Sequence, residues 1–181
     1  MCMKLMDFYR KELRCKMAGT ATKAADNVLY NARIKAQAGN DRLGSRENAA
    51  EIMGIDRTRL ARMELGMLTP YPEEIMLMAD AYNAPELMNH FCTCECPIGK
   101  RMIPRAELIQ LDRLTIKILN AVDGVQDVGA TMRRIAGTGK VTTDKLPELK
   151  DAMEALRRVS EVAAEMQIWM EKYMKGADRA E

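Results

Sequence analysis

The chain has 181 residues, enough for one compact domain and a smaller second one, and its formal net charge is only +2. So small a charge excludes a flooded basic surface that binds polyanions indiscriminately, and leaves room only for local positive charge. Aromatic residues make up 4% of the chain against 16 methionines, and β-branched and aromatic residues are too sparse for a sheet of any size, so the expected fold class is all-α.

Residues 1–19, MCMKLMDFYRKELRCKMAG, are broken by charge every few positions and do not read as a signal segment. Leu5, Phe8 and Leu13 give residues 1–21 the pattern of a short amphipathic helix, able to pack on the domain or on a second subunit. No stretch approaches the apolar length of a membrane span. The expectation is a cytoplasmic protein with no membrane partner, whose five cysteines stay thiols.

Residues 22–91 read as one helical domain. Thr22 to Ala38 is its expected first helix, with Val28, Leu29, Ala32 and Ala36 inward and Gly39-Asn40 as the stop. Ser45 can N-cap the next helix, on which Glu47, Ala49, Ala50, Ile52 and Met53 form one small, apolar face. Gly54 follows directly, where a helix that ends in a left-handed residue needs glycine. Ile55 is a core plug, and Asp56 caps a further helix, Arg57 to Leu65. Leu60 and Met63 face inward on it, which leaves Arg57, Thr58, Arg59 and Arg62 facing out. Such a face suits a major groove. Arginine bonds guanine O6 and N7, or a phosphate, in bidentate fashion, and threonine meets a base edge or a thymine methyl. Thr69-Pro70-Tyr71-Pro72 is a rigid turn, Pro72, Glu73 and Glu74 suit the first turn of a helix to about Tyr82, and Asn83 is its left-handed stop. Pro85-Glu86 opens a short helix to His90 or Phe91.

The string AAEIMGIDRTRLARMELG, followed by LTPYPEEIMLMADAYNAPEL, resembles the helix-turn-helix of the Cro and phage-repressor (XRE-like) family over roughly residues 25–87. The match is carried by Ala50 and Gly54, Ile55 and Asp56, Glu64 and Gly66, Pro70, and Met76 with Ala79. Two features depart from that pattern: the first connection, AGNDRLG at 38–44, is long, and Arg46 stands where the family commonly has glutamine. The resemblance implies a glutamate at the inner end of the recognition helix paired with an arginine of the first helix. Here those residues are Glu64 and Arg33.

Residues 92–104, which contain Cys92, Cys94 and Cys96, read as a linker, and a helical domain follows over 105–181. Leu108, Leu111, Leu114, Ile118 and Val122, then Val125, Val128, Met132 and Ile135, recur at three and four, with Asp123-Gly124 as either a break or a weak point. After a stop at Gly137–Gly139, a last helix from about Thr143 or Pro147 to Met174 carries Leu149, Met153, Leu156, Val159 or Ser160, Ala163, Met166, Met170 and Tyr173. Such stripes belong to a helical hairpin or coiled coil, as internal core, subunit seam or both.

Gly137-Thr138-Gly139-Lys140 lacks the flanking glycine and hydroxyl residue of a phosphate loop, because those positions hold Arg134 and Val141. His90, Cys92, Cys94 and Cys96 are crowded into seven residues with no second ligand pair elsewhere, so structural thiols are favoured over zinc and no cofactor is expected. A lone histidine also removes most acid–base and triad arrangements, and an enzyme is not expected. The expected function is sequence-specific binding of double-stranded DNA for transcriptional control, as a repressor of phage or mobile-element type. Arg57, Thr58 and Arg62 are assigned to base edges, and Arg46 and Arg59 to phosphates. One short recognition helix reads too few base pairs to find a site, so a homodimer on an inverted repeat is expected, with 149–173 as the longest available seam. A protein–protein adaptor on the same fold, or a thiol- or metal-responsive regulator, is the alternative.

Overall fold

The computed structural model describes residues 24–137 and 142–174, and every regular element among them is helical. The amphipathic segment expected at 1–21 and most of the turn at 137–140 lie outside the described residues. The chain divides into two units, residues 1–103 and 104–181.

The first unit contains α1 (Val28–Ala36), α2 (Arg46–Met53), α3 (Arg57–Glu64), α4 (Pro72–Ala81), α5 (Glu86–Cys94) and α6 (Gly99–Met102). Helix α1 starts later than expected because Asn27 caps it. The Asn27 side-chain oxygen accepts from the amides of Leu29 and Tyr30, and its Nδ2 donates to the Met63 carbonyl at 3.1 Å. One side chain thereby starts α1 and ties it to α3. Leu29 and Ala32 face the core as expected, whereas Val28, at the first position of the helix, lies exposed.

The long connection of residues 38–44 ends in one turn of 3-10 helix, Asp41–Gly44, which Asn40 caps by accepting from the Arg42 amide. Its function in the fold is to bury Leu43, which is 1% exposed. The caps of α2 and α3 lie where local chemistry demands. Ser45 accepts from the Glu47 amide, and Asp56 accepts from the Arg59 amide at 2.8 Å. Gly54, with φ of +65°, turns the chain through the left-handed region that a β-carbon resists. Asn83, at φ of 48°, does the same after α4. The core then closes over Leu29, Ala49, Ala50, Leu60, Met63, Ile75, Met78 and Leu87. Ile52, expected inward, is exposed.

Residues 92–104 are not a linker. Cys92 to Cys94 complete α5, and α6 packs back on that helix. The approach is so close that a β-carbon on Gly99 would lie 2.2 Å from the Cys92 carbonyl oxygen. Cys92 and Cys96 are free, but Cys94 is disulfide-bonded, which corrects the expectation that all five cysteines are thiols.

The second unit contains α7 (Leu111–Asp123), α8 (Val128–Gly137) and α9 (Leu146–Met174), the last entered through a 3-10 turn at Thr143–Lys145. The expected hairpin is therefore three helices: the chain breaks after Asp123, and α9 packs on both α7 and α8. Leu114, Ala121, Val128, Ile135, Ala152 and Ile168 are buried between them. The buried Glu165 accepts from Lys117 Nζ at 2.6 Å. Much of the apolar stripe expected in the sequence stays outside this core. Leu111, Val122, Met132, Met153, Leu156, Met166, Met170 and Tyr173 are all exposed. Among the described residues, no helix is long and apolar enough to cross a membrane.

Candidate nucleic-acid interface

The outward face of α3 is set by what holds its inward face. Leu60 and Met63 are at most 1% exposed, and beside them Glu64 is fully buried. A buried carboxylate is tolerated only when paired and hydrogen-bonded, and Glu64 is both. Arg33 Nε donates to its Oε1 at 2.6 Å and Arg33 Nη2 to its Oε2 at 3.1 Å. Arg33 Nη1 donates to the carbonyls of Leu43 and Gly44 at 2.8 and 2.9 Å. Burial works against the Arg33 charge, but the hydrogen bonds and charge of Glu64 outweigh it and hold that guanidinium above its ordinary range. The lengthened connection thus supplies the two carbonyls that complete Arg33, and the pair clamps α1, the 3-10 turn and α3 together. The family resemblance implied this pairing, and the structure contains it.

Two arginines assigned to phosphates have other work. Arg46, at the start of α2, donates from Nε to Glu64 Oε2 at 2.6 Å, with its guanidinium 5.9 Å from the Tyr30 ring. Its side chain remains 34% exposed, so the nitrogens beyond Nε are within reach of an incoming anion. Arg59 is more fully committed. It donates through Nε and Nη2 to Glu74 and stacks 4.5 Å from the Tyr71 ring. Glu74 also accepts from the Tyr71 amide at 2.7 Å. The Arg59 hydrogen bonds hold the Glu74 carboxyl below the usual carboxylate range. Arg59 therefore braces α3 against the start of α4. Glu74 and Tyr71 are the participants that sequence reasoning missed. The available signal was a glutamate at the third position of a helix, where it can reach back to the capping residue.

Arg57, Thr58 and Arg62 are exposed, and neither arginine forms an ion pair among the described residues. With Leu60 taken as the direction of the core, the 100° step of a helix places Thr58 and Arg62 on the opposite side and Arg57 at the N-terminal corner. Thr58 and Arg62 thus share the free face of a short, rigidly held helix, and Arg57 stands exposed at its N-terminal corner. In the cysteine-rich segment, burial and the neighbouring Cys96 push the Cys92 thiol up, away from the reactive thiolate. No cluster of three potential metal ligands occurs among the described residues. Comparison with protein-family models, with curated proteins and with solved structures finds no match to this chain.

Proposed function

We propose that the first unit binds double-stranded DNA in a sequence-specific manner and acts as a transcriptional regulator, a repressor that excludes polymerase by occupying its operator. The observation that supports this most is the contrast across α3. Its inner face is locked by Leu60, Met63 and the Arg33–Glu64 pair, while Arg57, Thr58 and Arg62 are exposed and neither arginine has an ion partner among the described residues. Thr58 and Arg62 stand opposite Leu60, and Arg57 is exposed at the N-terminal corner of the same helix. In the major groove, Arg57 and Arg62 read guanine edges and Thr58 reads a base edge or methyl group. Arg46, aimed by Glu64, meets a phosphate beside the N-terminus of α2. Two copies on an inverted repeat in the cytoplasm complete the reading, with recognition helices one DNA turn, roughly 34 Å, apart.

The test is selection of bound duplexes from a random pool at two salt concentrations, followed by binding to the enriched site. Arg62→Ala is expected to cost about 1–3 kcal/mol and to relax preference at one base pair. Arg46→Ala should weaken all duplexes alike and flatten the salt dependence. Failure to enrich any motif, or an Arg62→Ala protein that binds as tightly as wild type, overturns the reading.

A further inference from the structure

The longest helix carries a face that its own unit leaves bare. Along α9, Met153, Ser160 and Gln167 recur at seven residues, as do Leu156, Ala163 and Met170, and all six are exposed. A seven-residue repeat drifts by about 20° per turn-pair around a straight helix, so it forms one continuous seam only if a second helix supercoils on it. Meanwhile the buried side of α9 changes from Ala152 near its start to Glu165 and Ile168 near its end. The exposed seam is therefore not the internal packing face continued.

We propose that this seam binds the α9 helix of a second copy, antiparallel, so that Ser160 of each chain meets the partner's Ala163. This deepens the dimeric reading given above and rests on it for its biological purpose, though its geometry is argued independently of DNA. In that register the small residues meet at the crossing point, where backbones approach closely. Met153 lies across from the partner's Met170, and Leu156 across from the partner's Gln167. A polar residue at such a position fixes register and orientation at some expense of stability. The flanks favour the same choice. Lys150 lies beside the partner's Glu171, and by the two-fold axis this contact occurs twice. Val159 and Met166, half-buried and exposed respectively, extend the apolar strip on the other side. A parallel pair forfeits this complementarity, because Glu171 then faces Met166 and Arg157 faces Ala152.

The experiment uses the full chain without DNA and reads self-association by sedimentation over a concentration series. Wild type should dimerise at micromolar concentration. Lys150→Glu and Glu171→Lys should each weaken association roughly tenfold, because each variant sets two like-charged pairs across the seam. An equimolar mixture of the two variants should recover near-wild-type affinity, because the heterodimer restores both opposite-charge contacts. A monomeric wild type overturns the proposal. So does a mixture no tighter than either variant alone, the result expected of a parallel pair or of an interface elsewhere. A charge-swap recovery in a protein that selects no DNA motif would leave the seam intact and sink only the DNA reading.

Discussion

The two units differ in how completely they bury their largest side chains, although both leave apolar residues exposed, Ile98 and Met102 in the first among them. Among the largest fully buried side chains of the described residues, Arg33, Leu43, Leu60, Glu64, Met63, Met78 and Leu87 belong to the first unit and only Leu114 to the second. The first unit closes its core within one chain, and even places a charged pair inside it. The second leaves Leu119, Val122, Met153 and Leu156 exposed, each near or above half in the first three cases. Full burial of one such side chain contributes about 1.5–3 kcal/mol, so a partner covering Met153 and Leu156 on α9 has much to offer. A self-contained unit can dedicate its outer face to polar recognition. A unit with an unfinished face is suited to assembly.

The contrast breaks most sharply at the buried pair. Glu64→Gln keeps the shape but leaves the Arg33 charge without its counterion, and should destabilise the first unit by about 3–5 kcal/mol. Urea unfolding reports the loss, and hydrogen exchange should place it in residues 24–103 while α7 to α9 keep their protection. An equal change in both units would refute their independence. The next comparison makes one chemical change in two places. Leu60→Ala, at 0% exposure, should cost about 2–5 kcal/mol. Leu156→Ala, at 44% exposure, should cost under about 0.5 kcal/mol at monomer concentrations, and should act instead on self-association. Equal costs would mean that the α9 seam is already covered within the chain.

What could be read from the sequence follows the range of the interactions. Ser45, Gly54, Asp56 and Asn83 act on backbone within a few residues, so their types and order revealed the caps and turns. Leu60 and Met63 were legible from spacing alone. The side-chain pairings were harder, because Arg59–Glu74 and Arg46–Glu64 join residues 15 and 18 apart, across a turn whose path sequence does not specify. Arg33–Glu64, 31 apart, was accessible only through the resemblance. The cysteine-rich segment misled through composition. Its prolines, glycine and thiols suggest a loop, yet Gly99 is there to let α6 pack against the Cys92 backbone. In the second unit the stripe was read correctly as apolar, but periodicity cannot distinguish a face turned to a neighbour in the same chain from one awaiting another chain.

The smallest expected effect concerns the brace between α3 and α4, and it sharpens the contrast by giving the first unit a pH dependence of its own. The Glu74 carboxyl is held below its ordinary value of 4.5, chiefly by the Arg59 hydrogen bonds. A depressed folded-state value means that the unfolded chain binds the proton more readily. The stabilisation from this group is therefore complete above the ordinary carboxylate range and is lost as pH falls through the depressed value. Glu74→Gln cannot titrate, so its stability should decline less steeply than that of wild type on the acid side of pH 4.5. The pair is partly exposed, with Arg59 at 28%, so solvent screening keeps the difference shallow. Parallel unfolding curves at pH 7 and at pH 3 to 4 would check it, roughly spanning the ordinary carboxylate range. Identical acid slopes for the two proteins would show that the Arg59–Glu74 bridge adds nothing to the fold. A steeper slope for Glu74→Gln would contradict a Glu74 carboxyl held below its ordinary value.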